Sequence, residues 1–136
     1  TSDEGKEVSN DLLTFDPPPP LSYAFASDTM YTPDTAEYVK GVDLLYHEST
    51  FCEDKNVRAK QTMHSTAAQA ATVAVEAGVK HLIIGHFSAR YADKRQFEEE
   101  AKAIFSEVFA ARELCQYNLH QSGIKVKSVA PEKDEK

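Results

Sequence analysis

"HSTAAQAATVAVEAGVKHLIIGHF", residues 64 to 87, decides how the chain is built. Its first part, 64–78, reads as a helix. Ser65 or Thr66 can cap it, the interior is alanine-rich, and Gly78 can close it. Its second part, 79–87, is an apolar run that stops at His86, the pattern of a buried strand. A helix followed at once by such a strand is half of an α/β unit.

The same alternation extends in both directions. "LSYAFAS" (21–27) has strand composition and ends at Asp28. "PDTAEYVKG" (33–41) reads as a short helix, with Pro33 in its first turn and Gly41 at its end. "VDLLYHE" (42–48) is a further strand. "DKRQFEEEAKAIF" (93–105) places Phe97, Ala101, Ile104 and Phe105 near helical spacing. "VFAARELCQYNL" (108–119) supplies one or two final strands, and "IKVKSVA" (124–130) alternates but is weakly specified. The order β-α-β-α-β-α-β predicts right-handed crossovers and a largely parallel sheet flanked by helices. Tyr23, Phe25, Phe51, Phe97 and Phe105 are expected in the core.

Composition bounds the function. The chain has 136 residues, one domain's worth, with 41% hydrophobic and 27% charged residues and a formal net charge of -7. A free-standing nucleic-acid binder carries a basic footprint, so any RNA contact here must be local or supplied by another segment. Cys52 and Cys115 fit no C-x-x-C metal pattern and read as free thiols of a cytoplasmic protein. No apolar run approaches membrane-spanning length and no signal peptide is visible, which argues against a membrane or secretory role. Residues 1–20, acidic and ending in four prolines, read as a connector. Residues 21–119 read as the folded part and 120–136 as a tail, partly disordered.

Three successive strands end in ionisable residues on one sheet edge: Asp28, then His47 and Glu48, then His86. Asp28 suits a turn as well as a metal ligand. His86 suits a structural role as well as an imidazole ligand. His64, at a helix start, is either incidental or paired with Glu48 as a proton donor. His47 and Glu48 could equally form a solvated strand end. Arg90 is either a surface residue or a phosphate clamp. His81 and His120 read as structural or exposed. No nucleotide-binding loop, H-E-x-x-H or G-x-S-x-G motif occurs.

Taken together, "SDT", "LLYHESTF", "MHSTAAQAA" and "GHFSARY", in this order and spacing, closely resemble ribonuclease Z. That family is the tRNA 3′-processing endonuclease of the metallo-β-lactamase superfamily. The resemblance runs from about Leu21 to about Leu119. It implies that Asp28 bridges two zinc ions and that His86 ligates one of them. It implies that His64 protonates the leaving 3′ oxygen, that Glu48 orients His64, and that Ser88 and Arg90 contact the scissile phosphate or nearby RNA backbone. The substrate would be precursor tRNA and the chemistry two-metal phosphodiester hydrolysis.

"HEST" carries Ser49 where the family has alanine in H-E-A-T. The larger departure is that the superfamily's H-x-H-x-D-H motif is absent, as is a further histidine ligand. The implied fold is therefore the C-terminal half of a metallo-β-lactamase αβ/βα sandwich. The chain reads as a C-terminal fragment, inactive in isolation, whose partner is the N-terminal half of the same enzyme. Its uncovered sheet face predicts a homo-oligomer. The competing expectations are another metallo-β-lactamase-fold phosphodiesterase or hydrolase, and a non-catalytic α/β module.

Overall fold

A computed structural model describes residue 17 and residues 19–129. The expected connector, 1–20, lies almost wholly outside the described residues, as does 130–136. Strand β1 spans Tyr23–Ala26, helix α1 Pro33–Tyr38 and strand β2 Leu44–Glu48. A 3-10 turn, Glu53–Lys55, runs into α2, Asn56–Gln61. Then come α3 (Ala67–Ala77), β3 (His81–Gly85), α4 (Arg95–Lys102), β4 (Val108–Ala110), β5 (Cys115–His120) and β6 (Gly123–Ser128).

Strands β1 to β4 form one parallel sheet in sequence order, as the βα alternation predicts. Right-handed crossovers that always step the same way put their helices on one face. The register shows which face. Ala24, Leu45, Leu82 and Val108 make one row across the sheet, and Ala26, His47, Ile84 and Ala110 the next. The apolar members of these rows pack with Ala36 and Val39 of α1, the alanines and Val73 of α3, and Phe97 and Ala101 of α4. The alternate row, Phe25, Tyr46, Ile83 and Phe109, lies on the opposite face.

Local chemistry sets the element ends. Thr66 caps α3: its hydroxyl accepts from Gln69 N–H while the Gln69 amide oxygen accepts from Thr66 N–H. Gly78 ends α3 with φ 65°, a left-handed conformation that glycine adopts without strain. Thr32 caps α1 ahead of Pro33.

The structure corrects several expectations. Tyr23 and Phe25 are 56% and 64% exposed, because Ala24 and Ala26 take the helix-covered side of β1. Phe51 and Phe97 are buried as expected, and Phe105 is half-buried against the core. The helix expected to 105 stops at Lys102. The stretch 108–119 breaks into β4 and β5 around Leu114, whose φ is 58°. β5 leaves the parallel sheet and pairs antiparallel with β6, inside the segment expected to be a tail. The turn and helix over Glu53–Gln61 were not anticipated.

Candidate metal centre and active site

The four site residues expected at the strand and helix ends come together. Asp28 lies two residues past β1, His86 directly follows β3, and His64 lies in the loop before α3. One donor atom from each of Asp28, His64 and His86 falls within 4.8 Å of the others. His86 Nε2 stands 3.5 Å from Asp28 Oδ1, and the two imidazole rings are 5.3 Å apart between centroids. Asp28, Met63 and His86 hold φ angles of 52°, 58° and 64°. Such angles are disfavoured for residues with a Cβ and concentrate where surrounding structure enforces a side-chain direction.

Glu48 organises the cluster from beneath. It is fully buried, and its carboxylate accepts four hydrogen bonds. Oε1 takes Thr29 N–H at 3.1 Å and His64 Nδ1–H at 2.7 Å. Oε2 takes Thr50 N–H at 3.1 Å and the Thr50 hydroxyl at 2.7 Å. A buried carboxylate with all four lone-pair sites filled is a satisfied one. Because Thr50 gives its only hydroxyl proton to Glu48, it accepts from His86 Nδ1–H at 2.9 Å. Both histidines therefore carry a proton on Nδ1, so Nε2 is the nitrogen each has left for other chemistry.

Backbone pairing fixes the loops that carry these groups. Ser49 N–H donates to Gly85 O, and Ser88 N–H to Thr50 O, extending the β2–β3 pairing beyond the strands. Phe51 N–H donates to Ser65 O and Ala67 N–H to Phe51 O, which ties the start of α3 to the loop after β2. The Ser65 hydroxyl donates to Thr29 O at 2.6 Å. These links join the loops after β1, β2 and β3 to the His64 segment.

The solvated alternative for the end of β2 is overturned here. His47 and Glu48 are fully buried rather than a solvated strand end. His47 Nδ1–H donates to Glu48 O at 2.7 Å, Nε2 finds no partner among the described residues, and burial pushes its pKa below the ordinary histidine value. Ser88 and Arg90 lie in the loop after β3, two and four residues beyond His86. The Ser88 hydroxyl accepts from Arg90 N–H at 3.3 Å, and the exposed Arg90 guanidinium has no partner among the described residues. Thr29, Thr50 and Ser65 were missed as individual contributors. The hydroxyl-rich steps "SDT", "HEST" and "HST" were their only signal.

Two clefts flank the cluster. One, about 760 Å³, lies on the His86 side and is lined by Phe87, Lys94, Arg95 and Arg112 among others. The other, about 450 Å³, lies on the His64 side between α2 and the loop before α1. The donor set fits a transition metal in part: a carboxylate and an imidazole 3.5 Å apart can share an ion, and His64 is near. Three donors are fewer than the roughly four that zinc takes.

No protein-family model matches the chain. Ribonuclease Z from Bacteroides fragilis is 51% identical over 113 residues, covering 82% of this chain and 37% of that relative. Ribonuclease Z from Porphyromonas gingivalis is 45% identical over 119 residues, 88% of this chain and 39% of the relative. Among solved structures, the metallo-β-lactamase fold protein YhfI from Bacillus subtilis matches with a TM-score of 0.60 and 27% identity. That match covers 65% of this chain and 36% of YhfI. The chain thus spans about two fifths of the length of the curated relatives it matches. The cluster-bearing sheet and the relatives agree: the chain is a metallo-β-lactamase-fold homologue of ribonuclease Z.

Proposed function

We propose that this chain supplies half of the catalytic centre of a zinc-dependent endoribonuclease that removes 3′ trailers from precursor tRNA. The observation that carries the reading is the Asp28, His64 and His86 cluster built over buried Glu48. Asp28 and His86 would hold metal, and their carboxylate and imidazole donors suit zinc. Bound metal would supply Lewis acidity and a water of lowered pKa. Thr50 holds His86 in the tautomer that ligates. Glu48 orients His64 so that Nε2 meets the scissile phosphate. As the P–O3′ bond breaks and the water oxygen bonds to phosphorus, the leaving oxygen takes the Nε2 proton of doubly protonated His64, whose Nδ1 proton stays on Glu48, and the water's proton passes to a base outside this chain. The free guanidinium of Arg90, with Ser88 beside it, contacts the RNA phosphates.

The remaining ligands come from the N-terminal half of the same enzyme, so the isolated chain is inactive. The exposed β1 end of the second sheet face, Tyr23 and Phe25, is the surface for that half, or for a second copy when it is absent. We assign the cytoplasm on the two free cysteines. Among the described residues, no helix is long and apolar enough to cross a membrane.

The test compares a precursor tRNA with a generic phosphodiester, using the full-length protein that carries this chain. Cleavage of the precursor at the trailer junction, reduced about 100-fold or more by His64→Ala, is expected. Hydrolysis of the generic ester alone would favour another hydrolase of this fold. Unchanged cleavage by His64→Ala would mean that the cluster is scaffold.

A further inference from the structure

The cleft beside His64 has no role in the chemistry above. Its walls combine apolar and polar groups. Met30 and Tyr31 come from the loop before α1, Asn56, Val57 and Lys60 from α2, and Gln69 from the first turn of α3. Its volume of about 450 Å³ lies in the range of small-molecule sites, about 300–1,000 Å³. The hydrogen-bond inventory shows what remains available. The Asn56 amide nitrogen is used by Glu53, which leaves its oxygen as an acceptor. The Gln69 amide oxygen is used by Thr66 N–H, which leaves its nitrogen as a donor. Lys60 Nζ has no partner among the described residues, and Met30 and Val57 are exposed apolar surface.

We propose that this cleft holds the nucleoside whose 3′ oxygen is released, the last nucleoside of the tRNA product. The assignment rests on the function proposed above and on one directional argument. His64 delivers its proton to the leaving 3′ oxygen, and that oxygen belongs to the nucleoside on the 5′ side of the cut. Of the three cluster residues, His64 lines this cleft and Asp28 and His86 do not. The nucleoside on the 5′ side therefore meets Met30, Tyr31 and Val57 with its faces. The free oxygen of Asn56 and free nitrogen of Gln69 offer the acceptor and donor that read the edge of an unstacked RNA base. Lys60 supplies a cation for the adjoining phosphate.

The experiment uses the full-length protein and four precursor tRNAs that differ only in the nucleotide 5′ of the cut. Relative kcat/KM is measured for wild type, Asn56→Ala, Lys60→Ala and Val57→Glu. Val57 is 66% exposed, so Val57→Glu should fold normally while placing a carboxylate in the cleft. Asn56→Ala is expected to compress the spread among the four substrates toward one. Lys60→Ala and Val57→Glu are expected to raise KM several-fold with kcat little changed. Wild-type indifference to the base, or an unchanged spread in Asn56→Ala, overturns the inference even when the precursor is cleaved. So does an unchanged KM in both Lys60→Ala and Val57→Glu. Failure of the wild type to cleave any precursor, with the generic ester still hydrolysed, overturns the proposed function and this assignment with it.

Discussion

Asp28 and His86 pair a candidate ligand with a left-handed backbone, φ 52° and 64°. Neither is glycine, so each stores strain of the order of 1–3 kcal/mol that neighbouring contacts offset. For His86 the neighbours are Thr50 on Nδ1 and Asp28 beside Nε2. Stability and metal binding should then respond differently to substitution. Asn tolerates this conformation and Val does not. His86→Asn is expected to stay within about 1 kcal/mol of the parent in urea unfolding, whereas His86→Val loses about 2 kcal/mol more. Both should lower metal retention in the full-length protein, measured by elemental analysis. Equal stability of the two variants would show that the angle costs nothing. At this scale the sequence was informative about residue type and silent about linkage. Asp28, His64 and His86 could be singled out because strand ends gather chemistry. That Thr50 would relay Glu48 to His86 depends on side-chain directions after the strand, which no periodicity encodes.

The elements were legible wherever burial imposed a rhythm. β3 and α3 stood out because Leu82 and Ile84, and Ala67, Ala70, Ala71 and Ala74, are fully buried. α2 escaped because "NVRAKQ" buries only Ala59 and exposes the rest of its surface. β1 was found, but its inward face was misjudged, since large aromatics are poor guides when a sheet face has no helix over it. β1 is an edge strand, and Asp43 secures its start. Its Oδ2 accepts from Ser22 N–H at 2.8 Å and from the Ser22 hydroxyl at 3.1 Å, while Oδ1 meets Lys80 Nζ at 2.9 Å. Lys80 and Ser22 hold its carboxyl down at about 2, against an ordinary value of 3.8. A depressed folded pKa stabilises above the unfolded value and loses that effect as pH falls through the folded one. Asp43→Asn should therefore be less stable than the parent at neutral pH, and the gap should close as pH drops from about 4 to about 2. A gap that stays constant across that window would remove Asp43 from the account.

Among the described residues, helices cover one face of the parallel sheet, and the other face is exposed at its β1 end. The row Phe25, Tyr46, Ile83 and Phe109 crosses all four strands, with Phe25 and Tyr46 stacked at 4.7 Å between centroids. Phe25 and neighbouring Tyr23 are more than half exposed. Isolated, the chain should associate through this face, and Phe25→Lys should shift it toward monomer in sedimentation velocity as concentration is varied. A parent that stays monomeric at high concentration would mean that the face needs no cover. The α/β architecture was readable from alternation alone. Which side of β1 faces solvent was not readable from its alternating residues, because both sides carry apolar groups.

The pairing of β1 with β2, Tyr23 with Leu44 through Ala26 with His47, sets the distance from Asp28 to His86 as a vernier sets a scale. A slip of one residue would carry Asp28 about 3.3 Å along the strand and invert which side chains of β1 face the helices. At the proposed site, metal affinity would therefore report strand alignment. Substitutions in β1 that never touch an ion, such as a bulky residue at Ala24, should be detectable as lost affinity before any loss of secondary structure.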